Sequence, residues 1–191
     1  MGAPRILGIL GSTRQGRAGG RVADWFAGLA SARADLVYEP VDLREWAFPM
    51  LDAASPPARG AYEDELTIRW AGVVAAADGF VLITPEYNHG YPAALKNALD
   101  LLYAEWGRKP VGFVSYGGPG GGLRSVQQLR QVVLELDMAP LRRQVSIPRV
   151  HSVLDEEGRP TEPWHLSAAA AMLDDLVWWA RALGAARQQQ V

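Results

Sequence analysis

Three loops hold the residues best suited to chemistry. The first is Gly11-Ser12-Thr13-Arg14-Gln15-Gly16-Arg17-Ala18-Gly19-Gly20, which gathers hydroxyls, two guanidinium groups and glycine amides just before a helix. A phosphate needs such a set: donors at short range, a helix N-terminus and a cation. The spacing excludes two common alternatives. A P-loop requires Gly-Lys-Ser/Thr, and this loop has no Lys; glycines at 8, 11, 16, 19 and 20 do not form the dinucleotide fingerprint G-x-G-x-x-G. Alone, the loop is also compatible with a generic Gly-rich strand-to-helix turn bearing a solvated Arg pair.

The second loop, Thr84-Pro85-Glu86-Tyr87-Asn88-His89-Gly90-Tyr91-Pro92, is stiffened by two prolines and carries two aromatic rings. A loop of this kind can hold a flat ring while its amides face the ring edge, although Tyr87 could equally pack beneath the loop. The third, Ser115-Tyr116-Gly117-Gly118-Pro119-Gly120-Gly121-Gly122, has five glycines in eight residues. Without Cβ atoms the main chain can approach a ligand closely, and its N–H groups can stabilise negative charge. A metal site is not expected: His89, His151 and His165 lie far apart and there is no Cys. His89 reads as a loop-surface residue.

These loops need a frame that brings them together. Apolar runs at 6–10, 36–41, 80–83, 111–114 and 145–147 alternate with stretches of helical spacing. Those stretches include Val22, Trp25, Phe26 and Leu29; Leu66, Trp70, Val73, Val74 and Ala77; Leu95, Leu99 and Leu102; and Val126, Leu129, Val133 and Leu136. A last helix is expected to bury Leu166, Ala170, Leu173, Val177, Ala180 and Leu183, with at least one of Trp178 and Trp179 in the core. Alternation of this type predicts an α/β fold with a parallel sheet. Pro40 in the second strand, and Arg142 and Arg143 before the fifth, place those two at the sheet edges. The expected order is 2-1-3-4-5, a three-layer sandwich with the three loops at the carboxyl ends of its central strands. Ligands bind such sheets there, next to the reversal of winding.

With 191 residues, 49% hydrophobic and 21% charged, the chain is expected to form one domain over 1–191, with the tail 185–191 disordered. A formal charge of −2 provides no basic field for nucleic acid or an anionic membrane. Absence of Cys excludes disulfides and thiolate nucleophiles. The apolar run ahead of Gly11 is too short for a signal-peptide core or a membrane span, so the protein is expected to be cytoplasmic. Segment 42–60, with Pro49, Pro56, Pro57 and Gly60, reads as one long connection.

Gly11-Ser12-Thr13-Arg14, Pro85-Glu86-Tyr87-Asn88 with Leu95-Lys96-Asn97-Ala98, and Ser115-Tyr116-Gly117-Gly118 with Gly121-Gly122 together resemble the NAD(P)H-dependent FMN reductase family, a flavodoxin-like group. The resemblance covers about residues 5–148 and implies FMN as cofactor and NADPH or NADH as hydride donor. It implies a phosphate on Ser12, Arg14 and the amides around Arg17 to Gly19, with Thr13 also cofactor-binding, and a ring and ribityl chain lined by Pro85, Glu86, Tyr87 and Asn88. Tyr116, Gly117, Gly118 and Gly121 would face the pyrimidine edge, and the long connection is placed to roof the pocket with Trp46, Pro49 and Met50. No catalytic side chain is implied, because the chemistry belongs to the flavin. The acceptor would be a flavin, quinone or azo compound, and the assembly a homodimer or homotetramer. Two departures stand out: Arg17-Ala18-Gly19 where many members have Ser or Asn, and Gly90 where many have Ser. Two other readings use the same loops. One is a flavodoxin-like electron carrier, which a charge of −2 disfavours because such carriers are strongly acidic; the other is a nucleotide- or sugar-phosphate-binding protein without flavin.

Overall fold

The computed structural model describes residues 2–189. Its strands are β1 (Arg5–Leu10), β2 (Val37–Asp42), β3 (Gly79–Pro85), β4 (Pro110–Tyr116), β5 (Ala139–Pro140) and β6 (Val145–Ile147). The helices are α1 (Gly19–Ser31), α2 (Leu43–Trp46), α3 (Glu65–Ala75), α4 (Ala93–Asp100), α5 (Leu123–Glu135), α6 (Val150–Val153) and α7 (Pro163–Gln188). All strand pairs are parallel, in the order β2-β1-β3-β4-β5, with β6 also on β4. The expected flavodoxin-like order therefore holds, with one refinement. The outer position beside β4 is filled by two short pieces, Ala139–Pro140 opposite Pro110–Val111 and Val145–Ile147 opposite Val114–Tyr116. Between them Arg142 and Arg143 bulge into solvent, and Arg143 pairs with Asp175 of α7 at 2.8 Å.

Every residue of β3 and β4 is buried, as strands covered on both faces must be. On one face α3, α4 and α5 pack over Trp70, Phe80, Trp106 and Phe113. The indole N–H groups of Trp70 and Trp106 donate to the carbonyls of Ala98 and Leu99, so both rings are buried without stranding a donor. The other face holds α1 and α7 over Val22, Phe26, Val81, Val114 and Met172.

Helix α7 departs from the expected stripe. It buries His165, Ala169, Met172, Leu173, Leu176, Val177 and Ala180, while Leu166 is exposed. Trp178 and Trp179 are both exposed, at 63% and 40%, and contact each other edge to face. Neither is core, because Val177 and Ala180 take the inward positions and the tryptophans fall beside them at 100° steps. The expected frayed tail is helical through Gln188. Arg187 ties it down by donating to the Arg108 carbonyl and pairing with Asp78. Residues 190 and 191 lie outside the described residues.

The 42–60 connection contains α2 and a 3₁₀ turn at Pro57–Arg59. Asn97 fixes it: its Oδ1 accepts from the Leu51 N–H and its Nδ2 donates to the Pro49 carbonyl. Trp46 packs in the core against Trp70 and stacks on Phe48. Pro49 and Met50 line a separate cleft of about 370 Å³ with Tyr62, Leu66 and Leu101, away from the three loops. None of the three roofs the candidate site.

Candidate active site

Parallel strands deliver the ends of β1, β3 and β4 to one edge, where their loops enclose a cleft of about 200 Å³. It is lined by Arg14, Arg17 and Ala18, by Pro85, Glu86 and Tyr87, by Tyr116, Gly117 and Gly118, and by Val150 and His151. All but Ala18, Val150 and His151 are residues at which the sequence places a ligand.

The first loop separates its two arginines. Arg17 donates to the Ser12 carbonyl and pairs with Asp42 at the end of β2. Its charge is thus committed within the protein. Arg14 is exposed and, among the described residues, makes no hydrogen bond or ion pair. Helix α1 starts beside it with Ala18 as N-cap and no side-chain capping bond. Its first amides therefore present donors and the positive end of the helix dipole to any anion there.

Ser12 is buried, and its hydroxyl is bonded to Tyr87 Oη at 2.7 Å, which joins the first loop to the second. Tyr116 reaches under the first loop. Burial pushes its phenol up, against a pull from Ser12, Arg17 and Arg14. Ser12 bonds Tyr87 instead, so Tyr116 Oη is buried without a hydrogen-bond partner. Gly19 is required at this contact, because a Cβ would overlap the Tyr116 hydroxyl and lie 2.8 Å from its Cζ. Thr13 turns the other way, into a neighbouring cleft with Arg44, Phe48 and Ala94.

Glu86 reaches the cleft, but its carboxylate turns towards α5. It accepts from the Arg124 backbone N–H at 3.2 Å and from Arg124 Nε at 2.5 Å. That carboxylate caps the α5 N-terminus, where Gly122 supplies no side-chain cap. Asn88 and His89 lie outside the cleft. Tyr87 and Gly90 exchange two backbone hydrogen bonds across them, and Asn88 and His89 have positive φ, 50° and 69°. This is the backbone of a type I′ turn, in which Asn is favoured at the first central position. Asn88 is thus accounted for by the turn.

In the third loop, the Gly117 N–H donates to the Ile147 carbonyl. Gly121 faces β6, where its carbonyl accepts from Ser115 and Ser146 and a Cβ would overlap Ser146 Oγ. A Cβ at Gly118 would meet nothing within 4 Å, so the loop is open to a ligand there. Val150 and His151 carry no motif of their own in the sequence. They follow β6, whose carboxyl end reaches the same edge, and that topology is the available signal. Among the described residues no cluster of three His, Asp or Glu could hold a metal.

The residues present fit a phosphorylated planar cofactor. An unpaired cation sits by an uncapped helix N-terminus, an orphaned phenol lies in the floor, and an open glycine faces the cavity. Comparison with known proteins gives the family of the chain. A Schizosaccharomyces pombe protein named as an NAD(P)H-dependent FMN reductase is 43% identical over 159 residues, covering 80% of this chain and 79% of that one. An Escherichia coli K12 protein named as a quinone reductase is 33% identical over 140 residues, covering 70% and 71%. The solved structure of the Paracoccus denitrificans flavoenzyme FerB, an NAD(P)H:acceptor oxidoreductase, shares the fold with a TM-score of 0.74. Its identity is 22%, and 94% of this chain and 98% of that one are covered. Residues 4–152 match the family described as NADPH-dependent FMN reductase, and the chain belongs to that family.

Proposed function

We propose that the protein is an NAD(P)H-dependent FMN oxidoreductase, one folding unit with FMN seated in the cleft. The observation that carries this reading is Arg14, a guanidinium without a carboxylate partner among the described residues, beside the uncapped start of α1. When bound, FMN would supply two-electron chemistry between NADPH or NADH as hydride donor and a flavin, quinone or azo acceptor.

The chain's own groups bind and align. Arg14 and the first α1 amides hold the phosphate, while Arg17 keeps the loop in place through Ser12 and Asp42. Ser12 can accept the Tyr87 proton and direct its own towards a phosphate oxygen. Tyr116 has a phenolic proton to donate from the cleft floor. Pro85 and Tyr87 form a stiff wall for a ring, and Gly118 admits its edge without a Cβ. The lining has no Cys, and its one carboxylate, Glu86, is ion-paired, so alignment and fixed dipoles are the protein's contribution.

Exposed Met50, Leu51 and Ile68 support self-association as a homodimer or homotetramer, which sedimentation velocity would measure. A cytoplasmic location belongs to the same reading; no helix among the described residues is long and apolar enough to cross a membrane. The test is an anaerobic titration. FMN should bind one per chain with quenched fluorescence, and NADPH or NADH should then bleach the visible flavin band. Absence of FMN binding refutes the reading.

A further inference from the structure

The segment after β6 supplies a fourth wall of the cleft. The chain leaves β6 at Ile147, passes through Arg149 at φ 51°, and enters α6 at Val150. Two bonds attach this turn to the third loop: the Arg149 N–H donates to the Gly118 carbonyl at 2.9 Å, and the Val150 N–H to the Gly117 carbonyl at 3.0 Å. Val150 is buried in the core shared with α1 and α7. The next residue, His151, is exposed and lines the cleft. An anchor on one side and two backbone bonds on the other thus hold an imidazole beside Gly117 and Gly118.

The charged groups around it leave that imidazole without a protein anion. From the first loop come Arg14 and Arg17, the latter paired with Asp42; from the second comes Glu86, paired with Arg124 of α5. Tyr87 and Tyr116 contribute phenols. On its own segment are Arg149 and, four residues on, Asp155, which is bound to Arg159. Both the carboxylate in the lining and those behind it have cationic partners.

We propose that His151 is a cofactor-binding residue whose side chain stabilises the negative charge that reduction places on the N1–O2 edge of the flavin, a role that rests on the FMN reading above.

The test measures dissociation constants of oxidised and reduced FMN, and of riboflavin, for the wild type, His151→Gln and His151→Lys under one set of conditions. His151→Gln should weaken reduced relative to oxidised flavin about tenfold, equivalent to about 30 mV in a two-electron midpoint potential. His151→Lys, which keeps a cation at this position, should keep the preference. The flavin's own titration is common to all three proteins and cancels in the ratio. Riboflavin should show the same ratio, because the charge concerned is on the ring. Equal loss for both redox forms, no loss, or an effect confined to FMN overturns the proposal while leaving the FMN reading intact. A wild type that binds no FMN overturns both.

Discussion

Arg14 and Arg17 carry the same charge three residues apart in different surroundings, and the different work proposed for them can be measured. Arg14 is exposed and makes no hydrogen bond or ion pair among the described residues, so its removal breaks nothing within the fold. Arg14→Gln should change stability by less than about 0.5 kcal/mol. Its loss to a phosphate should be that of a hydrogen bond to a charged group, about 1.5–3 kcal/mol, or about 10- to 150-fold in affinity. Arg17 holds the Ser12 carbonyl and Asp42, in a pair whose side chains are only 12% and 26% exposed. Breaking it lies between an exposed pair and a fully buried one, at about 1–2 kcal/mol of stability. For a chain of this size that lowers the melting temperature by about 2–8 °C. Fluorescence titration with FMN and riboflavin isolates the phosphate, since only FMN carries it. Arg14→Gln should collapse the FMN-to-riboflavin affinity ratio and leave the melting temperature alone; Arg17→Gln should do the reverse. If Arg17→Gln abolishes the ratio while Arg14→Gln preserves it, the assignment of the two arginines is wrong.

Three further outcomes follow from other contacts in the fold. Gly19→Ala places a methyl against the buried Tyr116 ring and should cost about 1–3 kcal/mol in denaturant unfolding; wild-type stability would show that the ring can move aside. His165 is 1% exposed, has an unpartnered Nε2, and is pushed below the ordinary 6.5 by burial. The unfolded chain therefore binds its proton more readily, so stability is full above about pH 6.5 and is lost as pH falls towards the lowered folded value, by up to about 1.4 kcal/mol per pH unit. Urea unfolding at about pH 7 and 5.5 should show this loss in the wild type and a smaller one in His165→Leu; equal losses would exclude His165 as the cause. Asn97→Ala removes the two hydrogen bonds that pin Leu51 and Pro49, and limited proteolysis should cut within 47–64 faster than in the wild type. An unchanged cleavage rate would mean that other contacts hold the segment.

Much of this architecture is legible in the sequence because burial leaves a periodic trace. The apolar runs that form β1, β3 and β4 stand in plain alternation with helical stripes, and Val126, Leu129 and Val133 of α5 are buried as their spacing indicates. The trace fails where side chains are small or elements very short. Residues 168–171 are all Ala, so the inward face of α7 is set by Met172 and Leu176 rather than by contrast within the run. Strand β5 has two residues and exists only because Pro110 and Val111 offer it a ladder. At the site, the concentration of Gly and polar residues locates the right loops. It does not reveal which charge meets which, since Arg17 finds Asp42 across 25 residues and Glu86 finds Arg124 across 38.

The third loop shows why composition alone under-determines a binding site. Its glycines look equivalent in sequence, but the fold asks different things of them. Gly121 and Gly122 have φ of 59° and 83°, and a Cβ on either would meet Ser146 or Ser115 and the Tyr116 backbone. They are glycine because the loop must fold back tightly onto β4 and β6. Gly117 contributes its N–H to Ile147 and its carbonyl to Val150, extending the sheet edge into the loop. Only at Gly118, which lines the cleft, does the missing side chain leave open space. A loop rich in glycine can therefore be mostly structural, with the packing of three residues serving to expose one to a ligand. The first loop follows the same logic: Arg17 and Gly19 fix the turn against Asp42 and Tyr116, and Arg14 is left facing outward with its charge unmatched.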